Sequence, residues 1–401
     1  MRMISYETSQ NMVSLLPIGM QKTERVFLSA ALGRILAEDI VADEDYPIRP
    51  TSAMDGYALL HSDLDEFDSL KIVGDNPAGA DEIGHVESGV CIKTFTGSLM
   101  PEGSDTLIPI ENIRVEDGRI VIEKPVAHGF AVRPIGESYR ENETLIPRGT
   151  QIGFAQIGVL AGINRVMVRV AQHPRVSVIA TGSEILDIGE TARHAGQIRS
   201  SNSYTLEALV NSLGGECVQM GIVGDDKAAI MERFEEALAS SDIVVSTGGV
   251  SVGDYDFVKH IVPRLGAEVI FKGVNIKPGQ HVMLAQRGDK FIVSLPGFAY
   301  SSTVTFMLYV APLMARMLGS ANPYEPIEAT LKVPFAKRSN KSEFTACNLS
   351  FEDGRYWVDF EGKKTGSSAI LTNLLGDAGL MICGEEDGDL EAGTLVRVIK
   401  L

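Results

Sequence analysis

The spacing of apolar residues changes period along this chain, and each change marks a different kind of structure. Between residues 25 and 40, Val26, Leu28, Leu32, Ile35 and Leu36 recur mostly three or four positions apart, which predicts helix for the opening segment to about residue 45. From Pro47 to about residue 136 the apolar runs are short and cut by Gly, Pro and Asp, which predicts a small β-rich domain inserted after that opening. Residues 137–172 return to longer apolar segments, with a helix over 152–161 ending near Gly162.

Residues 173–319 alternate strand and helix. Strands are expected over 176–180, 217–223, 243–246, 268–272 and 291–295. Helices are expected over 203–212, with Asn202 or Ser203 as cap, through Ile230, Phe234 and Leu238, and through Phe257 and Ile261. The most apolar run, 304–318, is too short for a membrane span and contains Arg316, so it reads as a buried helix. Residues 320–401 read as short strands and turns. The expected architecture is multidomain α/β plus β, with a central, mostly parallel α/β domain at 173–319. A discontinuous helical and extended N-terminal linking and dimerisation domain takes 1–45 and 137–172, the small β-rich domain 46–136, and a C-terminal β domain 320–401.

Composition narrows the class. The 401 residues carry a net charge of −17, which argues against a nucleic-acid partner. A hydrophobic content of 44% fits a soluble globular protein without a membrane role. Four dispersed cysteines form no Cys-x-x-Cys pair, so neither a zinc site nor a disulfide framework is expected. The first residues lack a signal-peptide pattern, and a cytoplasmic location is expected.

The densest chemistry lies in residues 246–259. Gly248, Gly249 and Gly253 follow a buried strand and permit close approach of backbone N–H groups to an anion, with Ser246 and Ser251 alongside. Asp254 and Asp256 add carboxylates that a divalent cation would bridge to phosphate oxygens. The pattern is neither a dinucleotide fingerprint nor a P-loop. Other motif loops also follow strand ends, where ligands bind in open α/β sheets. They are Thr181-Gly182-Ser183-Glu184, then Asp225, which is a helix cap or a ligand-orienting group, and Leu295-Pro296-Gly297, which leads to Ser301 at a helix start. Lys277, in Lys277-Pro278-Gly279, would present an ammonium to an oxyanion.

Together with Ser52-Ala53-Met54-Asp55-Gly56-Tyr57-Ala58, Thr96-Gly97-Ser98 and Pro101-Glu102-Gly103-Ser104-Asp105, these motifs resemble the MoeA family of molybdopterin molybdotransferases, which includes the gephyrin E domain. The resemblance spans nearly the whole chain. It implies an elongated four-domain homodimer with a MogA-like central domain. The implied reaction inserts molybdate into adenylylated molybdopterin and releases AMP, with Mg²⁺ as cation. It implies that Asp55, Thr96, Glu184, Asp225 and Asp256 act at the reaction centre, with Glu184 and Asp256 on the metal. Substrate would be bound by Thr181, Gly182, Ser246, Gly248, Gly249, Ser251, Gly253, Lys277, Pro278, Gly279, Pro296, Gly297, Ser301 and Ser367. A MogA-type adenylyltransferase and proteins that deliver cofactor to molybdoenzymes are implied partners.

The departures from the family pattern cluster where an oxyanion would bind. Gln280-His281 stands where the motif usually reads Lys-Pro, Phe298-Ala299-Tyr300 replaces Asn-Pro-Val, and Ala346 stands two residues after Phe344 where an Arg is usual. Lost cations would be replaced by His281, Lys272 or Arg338. Altered oxyanion preference, such as tungstate, or a non-catalytic carrier of the pterin intermediate are the alternative readings.

Overall fold

The structure is a computed structural model that describes residues 3–19, 22–80, 83–250, 257–364 and 367–401. It divides into two compact units. One comprises Met1–Glu38, Arg148–Ile157 and Val166–Leu401; the other comprises Asp39–Pro147 and Gly158–Arg165.

The smaller unit is built on a six-stranded sheet in the order Thr106–Pro109, Gly56–Leu59, Val90–Thr94, Ser69–Asn76, Arg119–Ile122, Ile113–Glu116. Its core is Tyr57, Leu59, Leu70, Cys91, Ile108 and Ile120. Strands of four to eight residues between Gly and Asp turns are what the broken apolar pattern predicts.

The larger unit carries the central sheet. Its strands are β1 (Arg175–Thr181), β2 (Glu216–Val223), β3 (Ile243–Thr247), β4 (Glu268–Lys272), β6 (Met283–Arg287) and β7 (Lys290–Leu295), with the two-residue β5 (Ile276–Lys277) outside the sheet. The order is β2-β1-β3-β7-β6-β4. The first four strands run parallel; β6 is antiparallel to both β7 and β4, so β4 shares the direction of the first four. Helices α1 (Ser201–Ser212) and α2 (Lys227–Ser240) cross between the strands, as parallel pairing requires. Ile230, Phe234 and Leu238 of α2 are buried at i, i+4 and i+8 against one face of the sheet. Helix α3 (Val258–Arg264) adds Val258, Ile261 and Val262 to that face.

The other face packs on a buried helical run: α4 (Ala299–Thr305), a π-helical segment Phe306–Val310, and α5 (Ala311–Leu318). Arg316 is tolerated in this apolar run because its guanidinium donates to Val13 O at 2.5 Å and Leu16 O at 2.7 Å. Those carbonyls end the helix Tyr6–Leu15, where the dipole is negative. A second six-stranded sheet completes this unit; the short β5 is its edge strand, paired with β8 (Ser342–Glu352), and the other strands lie from residue 327 onward.

Two expectations needed correction. Residues 25–40 are not a helix. Thr23–Phe27 is a strand paired with Met167–Ala171, and a 3₁₀ turn Leu28–Ala30 follows. Leu32 points to solvent, while Ile35 and Leu36 bridge to Gln151 and Val170. Backbone partners more than a hundred residues away override the local spacing. The first central helix begins at Ser201, before the expected cap, with Ser200 as N-cap residue.

Phe234 is fully buried in the sheet–helix interface. Phe234→Ala is expected to destabilise the fold by about 3–5 kcal/mol, read as a lower urea midpoint. A loss under about 1 kcal/mol would contradict this packing.

Candidate functional site

Register brings the site together. In the parallel ladder Ala180 pairs with Thr247 and Thr247 with Leu295, so β1, β3 and β7 end side by side. Thr181 closes the seam by donating its hydroxyl to Thr247 O at 3.1 Å, and Gly248 N–H donates to Leu295 O at 3.1 Å. Gly248 has φ +87°, and a Cβ there would lie 2.7 Å from Thr181 O. Only glycine lets the chain turn at this point. Gly249 continues the turn, and Gly297 lies against Gly248 with 3.7 Å between a built Cβ and the Gly248 Cα. Asn202, near the start of α1, holds Gly297 by donating to its carbonyl at 2.7 Å.

The carboxylates occupy the same edge. Gly182 adopts φ +143°, and the Glu184 carboxylate fills the space a side chain would take, 2.6 Å from a built Cβ. Glu184 is exposed, and its carboxylate makes no hydrogen bond or ion pair among the described residues. Asp225 is not the helix cap: Asp226 caps α2 through Ala229 N–H at 2.8 Å. Asp225 instead accepts from Ser183 N–H at 3.2 Å, while its own N–H donates to Ser183 Oγ at 3.0 Å. This reciprocal pair ties the loop after β1 to the loop after β2.

Ser246 is fully buried inside β3, beside Ser294 of β7 in the register, and neither hydroxyl has a hydrogen-bond partner. Ser251, Gly253 and Asp256, with Asp254, lie outside the described residues.

A second cluster lies along α4. Gly279 packs against Thr305, Lys277-Pro278 is cis, and Ser301 N–H donates to Ser368 O at 3.2 Å. The Ser367 hydroxyl accepts from Ala369 N–H at 3.2 Å. Asn373 shapes this loop, accepting from Lys364 N–H at 2.9 Å and donating to Lys364 O at 2.7 Å. Ser301 itself is buried, so its backbone rather than its hydroxyl meets the loop. Pro296 and Gly297 precede α4, whose N-cap residue is Phe298.

Lys277 Nζ is 3.5 Å from Glu343 Oε1. Glu343 is buried and also accepts from Ser339 Oγ at 2.7 Å and Arg338 N–H at 3.1 Å. The ammonium on Gln280 comes from Lys341, which donates to Gln280 Oε1. Sequence reasoning singled out neither Lys341 nor Glu343. The local signal was a Lys just before β8 and a Glu inside its buried run. Ala346 and Tyr300, two of the departures from the family pattern, share one apolar core, and the Tyr300 hydroxyl donates to Phe344 O at 2.8 Å.

Asp55 and Thr96 meet in the smaller unit. Asp55 Oδ1 accepts from Thr96 N–H at 2.8 Å and Thr96 Oγ1 at 2.7 Å. Backbone and then hydroxyl donation from Thr96 hold the Asp55 carboxyl below the usual range. A cavity of about 340 Å³ opens beside it, lined by Asp55, Tyr57, Lys93, Phe95, Ile110 and Val115. Lys93 Nζ sits 5.2 Å from the Phe95 ring centroid.

Hydrogen bonds to the ionised form lower a carboxyl pKa, so Thr96→Val is expected to raise that of Asp55. The shift should be partial, because the larger, backbone bond survives. A carbon-13 titration of the Asp55 carboxyl reads this, and an unmoved midpoint would refute the hydroxyl's part. Gly248→Ala should cost more stability than Gly288→Ala, which has φ +63° but no neighbour within 4 Å. The difference, expected at about 1–3 kcal/mol in thermal unfolding, isolates the collision with Thr181.

Comparison with known proteins agrees with this geometry. Residues 4–163 match the MoeA N-terminal region (domain I and II), 177–316 a probable molybdopterin binding domain, and 328–401 the MoeA C-terminal region (domain IV). A molybdopterin molybdenumtransferase of Nostoc sp. is 34% identical over 95% of this chain and 89% of its own length. One from Haemophilus influenzae is 29% identical over 98% and 97%. The crystal structure of a molybdopterin biosynthesis MoeA protein from Pyrococcus horikoshii OT3 superposes with TM-score 0.85 at 28% identity, covering 100% of both chains. With glycine-lined strand ends, a lysine turn along α4 and matches of this extent, the chain belongs to the MoeA family.

Proposed function

We propose that this protein is a molybdopterin molybdenumtransferase that inserts molybdate into the dithiolene of adenylylated molybdopterin and releases AMP. The observation that carries this reading is the pair of clusters joined by α4. The glycine-lined ends of β1, β3 and β7 suit a phosphate-linked pterin, and the Lys277 turn with the Ser367 loop suits a tetrahedral oxyanion.

Mg²⁺ fits the residues present. No group of three or more metal-ligating side chains occurs among the described residues, but the exposed Glu184 carboxylate is a hard oxygen donor. Mg²⁺ is commonly held by one or two carboxylates and completed by water and substrate phosphates. Glu184, with Asp256, would hold it, and the ion when bound would offset charge on the pyrophosphate. Asp225 orients the Ser183 loop, and Lys277 draws in the oxyanion.

The domain boundaries expected above, 1–45 with 137–172, 46–136, 173–319 and 320–401, belong to this reading. So does a homodimer in which Asp55 of one protomer completes the site of its partner. In support, Phe27, Leu32, Val166 and Met167 expose apolar surface on and beside the Thr23–Phe27 strand pair. The enzyme would work in the cytoplasm on nucleotide supplied by a MogA-type adenylyltransferase.

Purified protein with adenylylated molybdopterin and Mg²⁺ is expected to release AMP in saturable response to molybdate. Lys277→Gln should lower kcat/KM for molybdate by roughly 10- to 100-fold. Tight retention of the pterin nucleotide without oxyanion-stimulated AMP would overturn transfer and leave a carrier.

A further inference from the structure

We infer that Lys341 binds the oxyanion, as the second ammonium of a pocket whose first is Lys277, and that Gln280 holds it there. The inference rests on the transferase reading above and extends it to a residue outside every motif that supports that reading.

Pairing of β5 with β8 starts the argument. Ile276 lies beside Ser342 and Lys277 beside Glu343, so Lys341 enters next to the Lys277-Pro278-Gly279-Gln280 turn. Its Nζ donates to Gln280 Oε1. A lysine ammonium has no acceptor, so this contact fixes the orientation of the Gln280 amide. The NH₂ side then lies 2.8 Å from His281 Nε2, which must accept. In this arrangement the His281 nitrogen faces an amide donor, so it offers the turn an acceptor. Lys341 is thus the cation from outside the turn whose ammonium contacts Gln280.

Charge arithmetic makes the same point. Lys277 is paired with the buried Glu343, one positive and one negative, which sum to zero. Adding Lys341 brings the linked group to +1, while Gln280 adds nothing. Ala346 lies in an apolar core cluster and supplies no charge either. Within this linked group Lys341 is the positive charge that no carboxylate offsets. Lys341 has three donors, of which Gln280 takes one, and it is only partly buried. Two N–H groups remain for oxyanion oxygens.

The test is calorimetric binding of molybdate and of tungstate to the full-length protein, alongside AMP-release kinetics. Lys341→Gln is expected to weaken binding of both oxyanions, and to raise KM for molybdate, by roughly 10- to 100-fold. Affinity for adenylylated molybdopterin should stay within about twofold. Lys341→Arg keeps the charge and should keep most of the affinity. The double variant Gln280→Lys with Lys341→Gln returns the ammonium to the same contact and should restore binding even if Lys341→Gln alone folds poorly. Unchanged oxyanion affinity in Lys341→Gln, or failure of the double variant to recover it, overturns the inference. Oxyanion binding that depends on Lys341 in a protein releasing no AMP would refute the transferase reading instead, so the two failures are distinct.

Discussion

The common register of three parallel strands is the constraint on which the larger unit's site depends. Thr181, Thr247 and Leu295 end β1, β3 and β7 at one level because Ala180, Thr247 and Leu295 are aligned across the ladder. A shift of one residue in any strand would send its side chains to the opposite face and carry its loop out of the cluster. The register is held by burial on both faces, with Ile243 and Val245 toward one core and Val244 toward the other. The energy that positions the ligand loops is thus mostly hydrophobic and comes from residues that touch no ligand.

Polar detail then refines what packing has placed. Ser183 with Asp225 joins two loops, and Asn202 of α1 with Gly297 joins a helix start to a loop, each across a long stretch of sequence. Each fixes the relative position of two strand ends at a net gain of about 1 kcal/mol. Near the surface such bonds are worth little for stability. Their value is geometric, because they hold the strand-end loops in fixed positions. The whole chain carries −17, yet its local cations converge on one turn. Such a local field differs in sign from that of the acidic remainder.

Much of the central unit was legible because its elements obey simple periods. The expected strand over 217–223 is Glu216–Val223, and Ile230, Phe234 and Leu238 are the buried stripe of α2. Glycine loops after those strands were readable for the same reason, since turn chemistry is local. Residues 25–40 misled because apolar residues three and four apart also arise when a strand, a 3₁₀ turn and two isolated bridges follow one another. The Met283–Arg287 strand went unread because it only pairs antiparallel at the sheet's far side and carries no motif.

The sequence by itself determined the family, the α/β alternation, the glycines at the strand ends and the charges available to the site, because these depend on residue type and local spacing. Tertiary structure alone decided which of those charges meet. Asp226 rather than Asp225 became the cap, freeing Asp225 to bind Ser183, and Lys341 came from another segment to meet Gln280. The reason is physical: a cap or an ammonium contact depends on ångström distances between chain segments. Those distances are set by how two sheets and a buried helix pack, which no short window of sequence contains.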